Sequence, residues 1–285
     1  MMLVSTYNLG IIGAGNMASS IVKGVIKNKL YNPKQILVYD VLLHQLDKLA
    51  RETSISKAMN NIDLMEKCST VIIAVKPEAY NGLLDEIVDV INPHHILISI
   101  AAGISTDYIK KRIKNKCRVV RVMPNTPAMV GEGMSAICNN HGLEEDEISK
   151  VRSIFMSLGK IELVDEALIN AVTAISGSSP AYVYMFIEAL ADGGVMMGLS
   201  REQSYRMAAQ SVLGAAKMVL DLDQHPGVLK DMVTSPGGTT IEAVYTLEKN
   251  GFRGSIMEAV RNCCQKGALM DKKAQDREGE AEIYG

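Results

Sequence analysis

The feature that most constrains the fold is a glycine turn set between an apolar run and a helical pattern. Leu9-Gly10-Ile11-Ile12 leads into Gly13-Ala14-Gly15-Asn16-Met17-Ala18, and Met17, Ile21, Val25 and Ile26 then recur at helical spacing as far as Lys29. A strand, a G-x-G-x-x-A turn and a helix in that order make a dinucleotide fingerprint. Gly13 permits the tight turn, Gly15 lets a pyrophosphate approach the backbone, and Ala18 lets helix and strand pack closely. Asn16 and Met17 open the helix, where backbone N–H groups favour an anion. A second strand, Ile36–Tyr39, ends at Asp40, 22 residues after Ala18. A carboxylate there can accept from both ribose hydroxyls and would repel a 2′-phosphate, which argues for NADH. Helix capping is the alternative role for Asp40, and Lys48 and Arg51 are near enough in sequence to weaken the preference.

Further short apolar runs follow at Thr70–Val75, Ile96–Ile100 and Arg118–Met123, with helical segments between them and a later β-like run at Gly133–Cys138. Strands alternating with helices imply βαβ units and a parallel sheet buried on both faces. After Asp165 the pattern turns helical, over 166–177, 180–198, 201–221, 226–233, 239–249 and 254–271. The chain therefore reads as an α/β protein: an N-terminal Rossmann-type doubly wound sheet (1–165), then an all-helical C-terminal domain (166–285), joined by a short ordered hinge. Ser179-Pro180 predicts an N-cap with proline at the first helical position. Ser200…Gln203 and Thr239…Glu242 have capping-box spacing. The helical part is rich in Ala, Gly and Met, and several helices look apolar on more than one face, which favours burial against a second chain over a compact monomeric bundle.

Composition removes several classes. The 285 residues carry a net charge of −2, so no basic excess points to nucleic acid. Lys110, Lys111, Arg112 and Lys114 lie at helical spacing and read as a solvated face. Cys68, Cys117, Cys138, Cys263 and Cys264 are odd in number and form no C-x-x-C pair, which fits a reducing cytoplasm and neither a disulfide framework nor a zinc site. The histidines, His141 among them, form no H-x-x-x-H pattern, and no metal site is expected. His94-His95 reads as a surface loop. The N-terminal run reads as a buried strand, not a signal peptide. The longest apolar stretch, 181–199, carries Glu188 and Asp192, against a membrane span.

Ligands of open α/β sheets sit outside the carboxyl ends of the strands. Ala74-Val75-Lys76-Pro77 and Ser99–Gly103, with Ala101, should therefore border the cofactor, and Arg121–Pro127, with Met123 and Pro124, should wall the nicotinamide. Lys76 is read as a contact through its backbone and stem; a catalytic lysine and an exposed cap residue are the alternatives. Ser176–Tyr182 reads as a helix junction whose hydroxyls could orient a ligand. The segment Ser235-Pro-Gly-Gly-Thr-Thr-Ile-Glu242 sets small residues and hydroxyls before a helix, a turn able to aim N–H groups at a small carboxylate.

Taken with His225-Pro226-Gly227-Val228-Leu229-Lys230-Asp231, these blocks resemble the pyrroline-5-carboxylate reductases, in order, from about residue 8 to about 270. The resemblance implies reduction of Δ1-pyrroline-5-carboxylate to L-proline with NADPH or NADH, by a domain-interlocked homodimer often assembled into a decamer. It implies substrate contacts at Gly238, Thr239 and Thr240, with Thr240 as the catalytic hydroxyl, and ligand contacts at Glu166 and at Asp223, which replaces a more usual Glu. It places Asn61 beside the adenosine. A hydroxy-acid dehydrogenase using Lys217 or Lys230, and a nucleotide sensor without turnover, are the competing readings. The charged tail Lys272–Gly285 has no strong match and is expected to fray.

Overall fold

The computed structural model describes residues 6–139 and 142–284, with side chains as far as Lys272, so His141 lies outside the described residues. The chain alternates β1 (Leu9–Ile12), α1 (Asn16–Lys27), β2 (Ile36–Tyr39), α2 (Leu43–Thr53), β3 (Ser56–Lys57), α3 (Asn61–Lys67), β4 (Thr70–Ile73), α4 (Tyr80–Ile87), β5 (Ile96–Ser99), α5 (Thr106–Arg112) and β6 (Arg118–Met123). β7 (Gly133–Cys138), α6 (Glu145–Met156) and β8 (Gly159–Val164) complete an eight-stranded sheet of order 3-2-1-4-5-6-7-8. The first six strands are parallel, β7 runs antiparallel to β6, and β8 runs parallel to β7. Strand order reverses at β1, where Ile11 lies opposite Val38 on one side and Ile72 on the other. This is the switch point at which open sheets take their ligands.

Period-two alternation sorts the strand residues onto two faces. Ile11, Val38, Ile72, Ile98 and Val120 pack against α1, α2 and α6, while Ile12, Leu37, Ile73, Leu97 and Val119 pack against α3, α4 and α5. Gly10 stands where a Cβ would lie 2.7 Å from Leu64 Cδ2, so its missing side chain admits α3 to β1. β3, two residues long, and β8, which is half exposed and without a continuous apolar run, are the strands that the sequence pattern does not single out.

The remaining helices are α7 (Ile169–Val172), which continues into a π turn at Thr173–Gly177, then α8 (Ser179–Met196), α9 (Arg201–Leu222), α10 (Pro226–Met232), α11 (Thr239–Lys249) and α12 (Phe252–Tyr284). The chain divides into two compact units. One runs to Gly177 and takes in the residues from Cys263; the other is Ser178–Asn262. Residues 166–177 cluster with the first unit, where Ile169 is buried with Met123, Ala136 and Cys138 beside β7. The end of α12 returns to the first unit, where Asp271 Oδ2 accepts a 2.6 Å bond from Asn170 Nδ2.

Within the second unit, α8 packs on α9, and a Cβ at Gly194 would lie 2.7 Å from Ser204 Oγ. Only Ala191, Ser204 and Ala208 are buried there, while Tyr184, Met185, Met196, Met207, Leu220 and Met257 are exposed.

Several local expectations change. Ser178, not Ser179, takes the N-cap position of α8. The Ser200–Gln203 box forms as expected. At α11 the N-cap is Gly238 and no side chain caps it, so Thr239 is already helical and the Thr239–Glu242 box does not form. His95, expected in a surface loop, is buried: its Nδ1 accepts the Asn92 N–H at 3.0 Å and its Nε2 faces Met65 O at 2.9 Å. α12 runs on through the tail to Tyr284, a stretch of Lys, Ala, Gln, Glu and Arg that favours helix.

Candidate active site

The glycine turn lies at the carboxyl end of β1. Gly13 has φ +108°, and a Cβ there would come within 2.6 Å of the Ala74 carbonyl oxygen. Its N–H donates to Tyr39 O at 2.7 Å, and the Ala74 N–H donates to Ile12 O at 2.8 Å, so the turn is stitched to both neighbouring strand ends. Gly15 differs. It is the N-cap of α1 with φ −71°, which any residue adopts, and a Cβ there would meet nothing within 4 Å. Neither backbone nor packing calls for a glycine at 15, and the space above its backbone is open. Asn16 is exposed, whereas the Met17 side chain packs partly into the core, so Met17 can offer a ligand its backbone N–H.

Asp40 holds the rim of this turn. Its Oδ2 accepts the Ala14 N–H at 2.6 Å and its Oδ1 accepts the Leu42 N–H at 2.7 Å. Both oxygens keep a second acceptor site for hydroxyls. Beside it lies a pocket of about 160 Å³ whose lining includes Gly13, Asp40, Val41, Asn61, Val75 and Glu86. Asn61 is 6% exposed, its Nδ2 donates to Glu86 Oε2 at 2.8 Å, and its Oδ1 has no partner. A second cleft of about 450 Å³ runs between α1 and α2 past Gly15, Asn16, His44 and Lys48. The structure thus gathers Gly13, Asp40, Asn61 and Val75 at one pocket, and Gly15 and Asn16 at the next.

The other strand ends are braced from below. The Tyr80 hydroxyl donates to Ile73 O at 3.2 Å and lies 2.8 Å from Ser99 Oγ, tying β4 to β5; burial pushes its phenol pKa up, so it stays neutral. Lys76 is exposed at the N-cap of a 3-10 turn, Pro77–Ala79, and Ala101 is buried in the sheet core. Met123 and Pro124 are buried, and Asn125 fixes the turn after them, donating to Ser176 O at 3.0 Å and accepting from Met134 N–H at 2.9 Å. Glu166 is committed within the first unit: its carboxylate accepts from Thr106 N–H at 2.9 Å, Thr106 Oγ1 at 2.5 Å and Arg121 Nη1 at 3.2 Å. Arg121, 2% exposed, also faces Asp271 at 3.7 Å. The sequence pattern does not single out Tyr80, Glu86 or Arg121 as partners; only Arg121, a charge inside the apolar run 119–123, carried a signal.

The second unit carries Asp223, Gly238, Thr239 and Thr240. Asp223 closes α9 in the left-handed region at φ 50°. Gly237, at φ 65°, turns the chain into Gly238, whose N–H donates to Ser235 O at 3.1 Å. The first-turn N–H groups of α11 then point out with no side-chain cap, Thr240 half-buried and Thr239 exposed. Lys217 and Lys230 are drawn to Asp221 and Asp231. Among the described residues, no helix is long and apolar enough to cross a membrane.

A doubly wound sheet with a glycine turn at its switch point defines a dinucleotide-dependent oxidoreductase of Rossmann type. Comparison with known proteins narrows this. Residues 166–270 match the family model for pyrroline-5-carboxylate reductase dimerisation, and residues 8–103 match that for coenzyme F420-dependent NADP oxidoreductases. The pyrroline-5-carboxylate reductase of Escherichia coli K12 is 41% identical over 264 residues, 93% of this chain and 98% of the relative. That of Synechocystis is 42% identical over 268 residues, 94% and 100% of the two chains. Among solved structures, the Plasmodium falciparum pyrroline carboxylate reductase with NADP bound superposes with TM-score 0.84 at 34% identity, covering 94% of this chain and 99% of that one. The Coxiella burnetii pyrroline-5-carboxylate reductase gives TM-score 0.87 at 33% identity, covering 93% and 98%. The chain belongs to the pyrroline-5-carboxylate reductase family.

Proposed function

We infer that this protein reduces Δ1-pyrroline-5-carboxylate to L-proline with NAD(P)H, the last step of proline biosynthesis. The observation that carries the reading is 41% identity to a pyrroline-5-carboxylate reductase across 93% of the chain, spanning both the glycine turn and the Ser235–Glu242 block. The residues fit a dinucleotide: Gly15 leaves an open cradle, and Asn61 presents an unpartnered buried oxygen. Gly13, Gly15, Asn16 and Met17 face the pyrophosphate, Asp40 and Asn61 the adenosine. Ala74–Pro77, Ala101, Met123 and Pro124 border the nicotinamide half. When bound, the reduced nicotinamide supplies a hydride to the imine carbon, and a proton completes the amine nitrogen.

The chain's own residues orient and bind. The uncapped α11 N-terminus holds the substrate carboxylate through the N–H groups after Gly238, where the helix dipole also favours an anion. The Thr240 hydroxyl hydrogen-bonds the ring nitrogen. Glu166, held by three donors, positions Arg121 and the start of α5. Asp223 serves as a further ligand contact at the end of α9. No strong protein acid is required, since the imine enters protonated or takes its proton through water.

The active form is a homodimer, or a decamer built of such dimers, assembled through the second unit, whose helices bury three residues within one chain. The enzyme works in the cytoplasm. The test is loss of NAD(P)H absorbance with the cyclic imine as substrate. Turnover that yields proline supports the reading; no turnover with either cofactor overturns it.

A further inference from the structure

We propose that Glu86, together with Asp40, makes the adenosine pocket an anionic cup that selects NADH over NADPH. This rests on the reading of the chain as a dinucleotide-dependent reductase. Three observations carry it. First, no Lys, Arg or His lines the pocket beside Gly13; its polar side chains are Tyr39, Asp40, Asn61 and Glu86. Second, Glu86 sets what Asn61 offers. A carboxylate only accepts, so the 2.8 Å bond from Asn61 Nδ2 to Glu86 Oε2 consumes a donor and leaves Oδ1, buried and unpartnered, as an acceptor. Third, the residues after Asp40 hold nothing for a phosphate. Val41, Leu42 and Leu43 are 75%, 48% and 63% exposed, three aliphatic side chains in a row where a phosphate would need cations or hydroxyls.

An unphosphorylated adenosine matches this lining, because its ribose hydroxyls and adenine amino group are donors. A 2′-phosphate brings only acceptors and negative charge against Asp40 and Glu86. Asp40 cannot swing aside without losing the N–H bonds of Ala14 and Leu42, so it meets the ribose in a fixed position. His44, Lys48 and Lys23 line the neighbouring cleft instead, and Lys23 is paired with Glu52 at 2.6 Å.

The experiment measures dissociation constants of the full-length protein for NADH and NADPH, and for ADP-ribose and its 2′-phosphorylated form, with no imine present. The wild type is expected to bind each unphosphorylated ligand at least about tenfold more tightly. E86Q removes the charge and frees the Asn61 amide to turn, and should narrow that ratio by about threefold or more; D40S should narrow it by about tenfold. Higher ionic strength should narrow the wild-type ratio too, because the discrimination is Coulombic. A wild type that binds the phosphorylated ligands equally or better overturns the proposal, with the cleft cations as the phosphate site. An E86Q protein with an unchanged ratio overturns the part assigned to Glu86. Because imine turnover is not the readout, failure of the reductase reading would appear separately, as NADH binding without proline formation.

Discussion

The two glycines of the turn should fail in different ways when each is changed to alanine. At Gly13 the cost lies in the protein. A φ of +108° is outside the range an L residue adopts comfortably, and the new methyl would meet the Ala74 carbonyl oxygen at 2.6 Å and its carbon at 2.9 Å. Backbone strain of that kind costs about 1–3 kcal/mol. Overpacking against a strand that cannot retreat adds about 1–3 kcal/mol. The G13A protein without cofactor should therefore melt roughly 5–20 °C below the wild type, compared at one protein concentration and scan rate. At Gly15 the backbone is ordinary and the added methyl meets nothing. G15A should keep the wild-type midpoint, or gain slightly through a less flexible unfolded chain. Its cost should appear only when the dinucleotide binds. Holding the pyrophosphate off by one methyl loses at least one charge-assisted hydrogen bond, about 1.5–3 kcal/mol, or about ten- to a hundredfold in dissociation constant. Thermal denaturation and calorimetric titration with NADH separate the two cases. A G15A protein that binds NADH as tightly as the wild type would refute the placing of the pyrophosphate over this turn.

Thr240→Val keeps the shape and removes the hydroxyl; kcat/KM for the imine should fall about ten- to a hundredfold with cofactor affinity little changed, and wild-type efficiency in steady-state kinetics would leave only the α11 N–H groups as contacts. Glu166→Ala strips Arg121 of its shortest ion pair and Thr106 of two bonds; because Glu166 is itself about a quarter exposed, the loss should be about 2–3 kcal/mol, read in urea denaturation. Burial pushes the Cys68 and Cys138 thiols up to about 12, so both stay protonated at neutral pH and should resist iodoacetamide until the protein unfolds, as mass spectrometry of labelled peptides would report. Light scattering at micromolar concentration should find a homodimer or larger; a fully active monomer would contradict the assembly.

The alternating half of the chain was legible because its signal is local. Ile11 and Ile12 face opposite sides of one sheet, and short runs of that kind, each followed by a helical period, specify a doubly wound sheet almost residue by residue. β8 escaped because Lys160, Glu162 and their neighbours on an edge strand carry no apolar run. The order β6-β7-β8 escaped because pairing depends on contacts distant in sequence. Of the candidate site, the glycine turn and Asp40 could be read from spacing. Glu86 could not: it sits 25 residues from Asn61, one charged residue among several on α4, and only the fold shows that it holds that amide. The cap of α11 was misread by one residue. Thr239 with Glu242 has the spacing of a capping box, but Gly238 takes the cap and contributes no side chain.

That one-residue difference changes the chemistry of the turn. A threonine at the N-cap would satisfy one of the first-turn N–H groups with its own oxygen. Glycine satisfies none, and the helix starts with its first donors free of any side-chain cap, although Glu242 in the first turn faces its dipole. Such an end is a cost to the folded chain unless water or a ligand meets it. Gly237 at φ 65° and the Gly238-to-Ser235 bond nonetheless hold the turn in this form. A helix start that its own side chains leave open, flanked by the Thr240 hydroxyl, has the donors a small cyclic imino acid requires: N–H groups for the carboxylate and a hydroxyl for the ring nitrogen. It lies in the unit that buries only Ala191, Ser204 and Ala208 within one chain, so the order of the turn depends on what covers those helices. On the proposed function, assembly and substrate binding are two consequences of one arrangement, in which a second copy supplies the core that α8 to α11 lack.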